Sequence, residues 1–206
     1  MQSSVHHIET YLAQLQDVVA NLPADLIDRV VALLLESARQ GNKVFIFGNG
    51  GSASTASHFA CDLAKNTQVP DAPRFRVIGL TDNMALMTAW ANDTAFDNIF
   101  AAQLSPLVEP GDVVIGISCS GNSANVLKAM EIARQHGAST IGFTGDQGGQ
   151  LKHMVDVCIQ VPSPRIEHQE DAHLILEHCI CAAVRAELAS TPAQTRMISA
   201  QEVLTN

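Results

Sequence analysis

Two segments decide the fold of this chain, and the first reads Val44-Phe45-Ile46-Phe47-Gly48-Asn49-Gly50-Gly51-Ser52. An apolar run leads here into a loop of small residues, and a helical stretch near Ala53–Lys65 follows. The second segment has the same order, with the run Val113–Ile117, the loop Ser118-Cys119-Ser120-Gly121-Asn122-Ser123 and a predicted helix over 123–136. Short apolar runs bounded by glycine are typical of buried strands, so each segment indicates a strand, a loop and a helix.

Both loops have the chemistry of a phosphate site. Small residues let backbone N–H groups approach an anion, a helix N-terminus adds a favourable dipole, and serine hydroxyls add neutral donors. Neither loop contains the lysine of a nucleoside triphosphate loop, which requires Gly-Lys-Ser or Gly-Lys-Thr. The two loops therefore predict two halves of one cradle for a phosphomonoester.

Two alternatives compete with this interpretation. The first loop also fits the dinucleotide pattern Gly48-x-Gly50-x-x-Ala53, which needs an acidic residue about twenty positions further on. Asp82 lies more than thirty residues beyond Gly48, and a dinucleotide site leaves the second, serine-rich loop without a role. The other alternative is a pair of tight turns without a ligand. A sugar-phosphate type of site is favoured over both.

Composition bounds the class of protein. A chain of 206 residues suits one domain, by the prior of about 100–200 residues per domain. The sequence has no apolar run of the roughly 18 residues that a membrane helix needs, and its first residues do not resemble a signal peptide, so we expect a cytoplasmic protein. Five cysteines in mostly apolar segments predict reduced thiols rather than a disulfide framework. The net charge of −9 argues against a large nucleic-acid footprint, although it leaves room for a local basic patch; neither a nucleic acid nor a membrane is expected as a partner.

Helix and strand patterns alternate along the chain. Apolar spacing predicts an N-terminal helical pair within 5–40 (7–21 and 24–39) and later helices over 53–65, 83–90, 96–108, 123–136 and 169–189. Strands are predicted over 43–47, 76–80, 113–117, 139–143 and 155–161. This alternation predicts an α/β fold, a three-layer αβα sandwich with a doubly wound, mostly parallel sheet. A single domain is expected over 1–190, followed by a C-terminal tail over 191–206.

Two pairs of polar residues have helical spacing. His58 and Asp62 are four residues apart and share one face of the helix after the first loop. Glu170 and His178 are eight apart on the last predicted helix, about two turns. Two imidazoles and two carboxylates make an acid/base or divalent-metal site, whereas either pair alone is as typical of a solvated surface.

These residues lie in motifs that resemble the phosphoheptose isomerase family. The motifs are Gly48 to Ser52, His58-Phe59-Ala60-Cys61-Asp62-Leu63, Asn92-Asp93, Phe96 to Phe100, Ser118 to Val126, Thr144-Gly145, Glu170-Asp171-Ala172-His173 and His178. The resemblance implies the sugar isomerase (SIS) fold and a homotetramer with active sites between subunits. It also implies conversion of sedoheptulose 7-phosphate to D-glycero-D-manno-heptose 7-phosphate through an enediol, a step of heptose biosynthesis for lipopolysaccharide or capsule.

The resemblance also assigns residues. It implies Asp62 as the catalytic base with His178 as its acid/base partner, and zinc or another divalent metal on His58, Asp62, Glu170 and His178. It implies a substrate site formed by Asn49, Gly50, Gly51, Ser52, Asp93, Ser118, Cys119, Ser120, Ser123 and Glu170. Two positions depart from the family, which usually has Glu at the position of Asp62 and Gln at that of Glu170. These departures leave open an isomerase of another phosphosugar, or a non-catalytic phosphosugar-binding adaptor of the DnaA initiator-associating type.

Overall fold

The computed structural model describes residues 3–190 and contains an α/β sandwich with five strands among those residues. The strands are β1 (Lys43–Gly48), β2 (Arg76–Gly79), β3 (Val113–Ser118), β4 (Ser139–Thr144) and β5 (Val157–Gln160). The helices are α1 (Ser4–Ala20), α2 (Ala24–Gln40), α3 (Gly51–Lys65), α4 (Met84–Asp93), α5 (Ala101–Leu104), α6 (Ala124–Gln135) and α7 (Ile166–Ser190). The predicted fold class and the N-terminal helical pair are confirmed, and the predicted tail over 191–206 lies outside the described residues.

All strand pairs in the sheet are parallel, and the strand order is β2-β1-β3-β4-β5. The chain thus builds outward from β1 in one direction and from β3 in the other. Gly48 pairs with Ile117, and Ser118 pairs with Thr144, so β1, β3 and β4 end at one level. The loops that follow β1 and β3 therefore lie side by side at the carboxyl edge, where open α/β sheets bind ligands.

The sheet is buried on both faces, which explains the uninterrupted apolar runs of its central strands. Along β1, Val44 and Ile46 face one side and Phe45 and Phe47 the other, as the two-residue period of a strand requires. The first side packs against α2, α3 and α7, and the second against α5 and α6. Helix α1 lies outside this sandwich, on α7.

Several element boundaries differ from the predictions. The helix expected over 96–108 is wrong: a 3₁₀ turn at Phe96–Asn98 is followed by the short α5. Pro106 explains the end of α5, because proline has no N–H to continue the hydrogen bonds of the helix. Helix α4 runs on to Asp93, α7 begins earlier than expected at Ile166, and β5 is shorter than the predicted 155–161. Within residues 3–190, no helix is both long and apolar enough to cross a bilayer.

Candidate functional site

The two glycine- and serine-rich loops form one polar cavity of about 180 Å³ at the carboxyl edge of the sheet. Three hydroxyls of the second loop converge there: Ser118 Oγ lies 3.0 Å from Ser123 Oγ and 3.5 Å from Ser120 Oγ. We call this cavity the cradle. Its lining residues are Asn49, Ser52, Ile117, Ser118, Cys119, Ser120, Ser123, Ile166 and Glu170. Six of the predicted loop residues therefore line one cavity.

The start of α3 forms the other side of the cradle. Gly50 precedes the helix with φ 56° and ψ −123°, a conformation that favours glycine, and it offers no side chain to cap the first turn. The N–H groups of Ala53 and Ser54 donate to the carbonyl of Gly50, and the positive end of the helix dipole is available to an anion. Gly50 and Gly51, which were expected in the substrate site, are not among the residues that line the cradle; they lie between its lining residues Asn49 and Ser52.

Backbone and amide contacts hold the two loops in register. Asn49 and Asn125 exchange two hydrogen bonds, each 2.9 Å long, between their side-chain amides. Gly145 donates its N–H to the carbonyl of Cys119, and Leu151 donates to the carbonyl of Gly121, both at 2.9 Å. The cradle is thus built from the ends of β1, β3 and β4 together and does not depend on one flexible loop.

Glu170 belongs to the cradle. Its carboxylate lies over the backbone of Gly51, so close that a Cβ at that position would be 2.5 Å from Glu170 Oε1. The pKa of the Cys119 thiol is raised, first by burial and then by the negative charge of Glu170. A carboxylate in this position opposes an incoming phosphate and can accept hydrogen bonds from sugar hydroxyls.

A second group of polar residues lies further along α3 and α7. It consists of His58, Asp62, Glu177 and His178, which offer one ligand atom each with all four atoms within 4.8 Å of one another. We call this group the His/carboxylate cluster. His58 Nε2 lies 3.8 Å and His178 Nε2 lies 4.0 Å from Asp62 Oδ2. The expected acid/base pair, Asp62 and His178, is therefore brought together by the packing of two helices.

Asp62 is fixed at one oxygen and free to act at the other. Its Oδ1 accepts a hydrogen bond of 2.7 Å from the side chain of Asn66, one turn further along α3. Its Oδ2 faces the two imidazoles, and the side chain is mostly buried. A cavity of about 160 Å³ opens beside Asp62 and His178. The carboxylate is thus oriented toward a space that can hold a reactant.

The sequence reasoning did not identify Glu177. This side chain has no exposed surface, and neither of its oxygens accepts a hydrogen bond from a described residue. Burial, and then the charge of Asp62, raises the pKa of Glu177 to about 7. The expected metal ligand Glu170 is not a member of the His/carboxylate cluster, in which Glu177 is present instead. Glu177 follows Glu170 by seven residues, which is about two helical turns. This spacing alone could have indicated that the two glutamates lie on the same face of α7.

Asp93 differs from expectation, and His173 lies beneath the second loop. Asp93 is not among the residues that line the cradle; it ends α4 and accepts a hydrogen bond of 2.8 Å from Asn92. His173 lies wholly inside the protein, with Nε2 3.2 Å from the carbonyl of Thr144 and Nδ1 4.0 Å from Cys119 Sγ. Burial lowers the pKa of His173 to about 4, so this imidazole is a neutral support beneath the second loop.

The donor set of the His/carboxylate cluster suits a divalent cation. Imidazole nitrogens and carboxylate oxygens are ligands of zinc and of neighbouring transition metals. A buried carboxylate without a hydrogen-bond donor is the environment that a cation would complete. The residues present therefore fit a metal ion.

Comparison with known proteins gives concordant matches. The sequence model of a family described as SIS domain matches residues 7–145. The phosphoheptose isomerase of Trichlorobacter lovleyi is 38% identical over 189 residues, which cover 91% of this chain and 95% of that protein. That of Rhodospirillum rubrum is 42% identical over 167 residues, covering 81% and 88%. The structure of a phosphoheptose isomerase from Francisella tularensis superposes with a TM-score of 0.83 at 31% identity, covering 90% of this chain and all of that one.

Proposed function

The chain belongs to the phosphoheptose isomerase family of SIS domain proteins, and we propose that it interconverts sedoheptulose 7-phosphate and D-glycero-D-manno-heptose 7-phosphate. Members of this family are sugar phosphate isomerases. The observation that carries the proposal is the placement of a phosphate cradle and an acid/base cluster on the same two helices.

The distance between these two places suits an extended phosphosugar. Helices α3 and α7 pack against each other, and both begin at the cradle. Six residues separate Ser52 from His58, which corresponds to about 9 Å along the helix axis. A phosphate held by Ser118, Ser120 and Ser123 would place the carbonyl end of the sugar near Asp62. Binding energy at the phosphate then positions the reacting carbons.

The reaction itself moves protons and needs no external oxidant. Asp62 Oδ2 removes a proton from C1 of the ketose while the carbonyl oxygen at C2 gains one, which gives the enediol. The hydroxyl at C1 then loses its proton, and the carboxyl of Asp62 returns a proton to C2, so that the aldehyde forms at C1. His178 is suited to exchange protons with the two oxygens, because its imidazole lies 4.0 Å from Asp62 and is half exposed toward the cavity.

A divalent cation, with zinc as the expected ion, is proposed at the same place. His58, Asp62 and His178 would hold it. When bound, such an ion polarises the carbonyl and stabilises negative charge on the enediol oxygens.

Assembly into a homotetramer with sites between subunits is also proposed. The outer face of α1 exposes an apolar stripe of Val5, Ile8 and Leu12, each more than half exposed. Their spacing of three and four residues places them on one face, as in a helix that packs against a partner. The open sides of His58 and His178 are available to a neighbouring subunit. Leu12→Glu should then dissociate the tetramer in analytical ultracentrifugation, while an unchanged sedimentation coefficient would rule out this stripe as an interface.

The test of the isomerase is turnover of sedoheptulose 7-phosphate in D₂O, followed by aldose formation and by deuterium incorporation at the reacting carbons. Asp62→Asn should abolish both signals, and His178→Ala should lower them by about 100-fold or more. Glu36→Gln, which removes an exposed carboxylate on α2, is the matched control and should retain full activity. Absence of exchange in the unmodified protein, despite binding of the phosphosugar, would refute the heptose assignment.

The geometry of the site also separates the enzyme from the non-catalytic alternative. A phosphosugar-binding adaptor needs the cradle but has no use for an oriented carboxylate next to two imidazoles. The presence of both groups therefore favours the enzyme. A cytoplasmic location remains a prediction from the sequence.

A further inference from the structure

We propose that Glu177 is a ligand of the divalent cation, so that the ion is held by two imidazoles and two carboxylates. The proposal extends the metal site of the proposed function by one residue. It rests on that metal site but not on the identity of the sugar. The carboxylate of Glu177 takes the place that the sequence motifs suggested for Glu170.

Burial is the first argument for this role. Glu177 has no exposed surface, and neither oxygen accepts a hydrogen bond from any residue between 3 and 190. An ionised carboxylate in such a place is strongly disfavoured unless a positive charge compensates it. The nearest acidic group, Asp62, increases the cost because it has the same sign. A cation between the two carboxylates removes both penalties at once.

Geometry is the second argument. Glu177 Oε1 lies 3.2 Å from His178 Nε2 and 3.5 Å from His58 Nδ1. Donor atoms about 2.0–2.2 Å from a tetrahedral zinc ion are separated by about 3.4 Å. The two distances match this spacing, and one donor atom from Asp62 lies within 4.8 Å of the others. A small inward movement of the half-exposed rings would close the site around an ion.

The path of α7 explains why two glutamates have different roles. Glu170 and Glu177 are seven residues apart, which is two turns, so both face α3. The first lies beside Gly51 at the start of α3, and the second lies beside His58 about two turns further on. Each carboxylate therefore meets a different part of α3, one at the cradle and one at the His/carboxylate cluster.

Charge balance is the third argument. A cation of charge +2 is neutralised by Asp62 and Glu177 together, while His58 and His178 bind as neutral imidazoles. The alternative is a salt bridge in which protonated imidazoles compensate Glu177 without a metal. The salt bridge predicts no stoichiometric metal binding, so a metal titration distinguishes it from the proposed metal site.

Metal titration of the chelator-treated protein tests the proposal without any sugar. Co²⁺ is followed by its visible absorption and Zn²⁺ by calorimetry, in the unmodified protein, in Glu177→Gln and in Glu170→Gln as the matched control. We expect one ion per chain in the unmodified protein. We expect Glu177→Gln to raise the Kd at least tenfold and to change the cobalt spectrum. Glu170→Gln should keep the Kd and spectrum of the unmodified protein.

Stability without metal gives a second readout. Glu177→Gln removes a buried, uncompensated charge and should raise the melting temperature of the metal-free protein. A residue with a merely structural role would lower that temperature. Should the glutamine variant fail to fold, Glu177→Leu replaces it in the same titrations, because it also removes the carboxylate at similar size.

Three results would overturn the proposal. They are an unmodified protein that binds no Co²⁺ or Zn²⁺, a Glu177 variant with unchanged Kd and spectrum, and a weakened site in Glu170→Gln alone. The isomerase is tested separately by deuterium exchange. Metal binding through Glu177 without turnover would refute the heptose assignment only, and turnover without such binding would refute the ligand role only.

Discussion

Gly121→Ala should disrupt the cradle through its contact with the next loop. Gly121 has φ +62°, in the left-handed region that L side chains rarely adopt. A Cβ at this position would lie 2.0 Å from the carbonyl oxygen of Gly148 and 2.5 Å from its carbonyl carbon. Both are backbone atoms, so no side-chain rotation can relieve the overlap. The two loops would have to separate by more than an ångström to reach ordinary contact.

The cost has two parts. Left-handed backbone in alanine costs about 1–2 kcal/mol, and overpacking of a close contact adds about 1–3 kcal/mol. Ser120 and Ser123 flank Gly121, so the hydroxyls of the cradle move with it. Displacements of about an ångström can lower the rate by about 100-fold. We therefore expect a stability loss of roughly 2–5 kcal/mol and phosphosugar binding weakened at least tenfold.

Gly41→Ala is the matched control. Gly41 also has a left-handed φ, +73°, but a Cβ there meets no atom within 4 Å. Its replacement should cost only the left-handed backbone, about 1–2 kcal/mol, and leave binding unchanged. Urea denaturation measures the stability of both variants, and calorimetry measures binding of sedoheptulose 7-phosphate. Equal stability losses together with unchanged binding in both variants would refute the loop contact as a determinant of the cradle.

Three further predictions concern the surroundings of the cradle. Glu170→Gln should tighten phosphosugar binding about fivefold in calorimetry, because the negative charges of the carboxylate and the phosphate, a few ångströms apart, repel by about 1 kcal/mol even in water. Unchanged or weaker binding would contradict the position of this carboxylate beside the phosphate. The pKa of His173 is lower in the folded protein than in the unfolded chain, so the unfolded chain binds the proton more readily. The stability that neutral His173 contributes is therefore present above pH 6.5 and is lost as the pH falls toward 4. The loss should amount to about 3 kcal/mol, and urea denaturation across this range should show a shallower decline in His173→Gln. Asn125→Ala should cost about 1–3 kcal/mol in the same assay, because it removes a buried amide and leaves the half-buried amide of Asn49 without its partner. Full stability would indicate that the paired amides do not hold the loops together.

The fold was predictable because its signals are local. Val44 to Phe47 and Val113 to Ile117 are apolar on both faces, which only a sheet covered on both sides can accommodate. The glycine after each run then marked the carboxyl edge, where the cradle forms. Errors arose where backbone chemistry interrupts an apolar pattern, as at Pro106, which ends α5 although the hydrophobic spacing continues. The loop residues of the cradle were accessible to the same reasoning, since they lie at or just beyond the ends of β1 and β3.

The His/carboxylate cluster shows why local signals are insufficient for the second half of the site. Spacing placed His58 and Asp62 on one face of α3, but it could not decide which acidic residue of α7 would face them. Glu170 and Glu177 lie on the same stripe of α7, and only the point at which α7 crosses α3 separates them.

Burial distinguishes the two glutamates as well. Glutamate is rarely buried completely, so no sequence pattern marked Glu177, whereas Glu170 was expected from its spacing to His178 and from the resemblance. The cost of Glu177 becomes intelligible only when both histidines and Asp62 are placed around it. Asp62 is one methylene shorter than the glutamate that the resemblance leads us to expect at this position. In the proposed metal site, the shorter Asp62 and the buried Glu177 would therefore hold one cation between them, with one carboxylate from each helix.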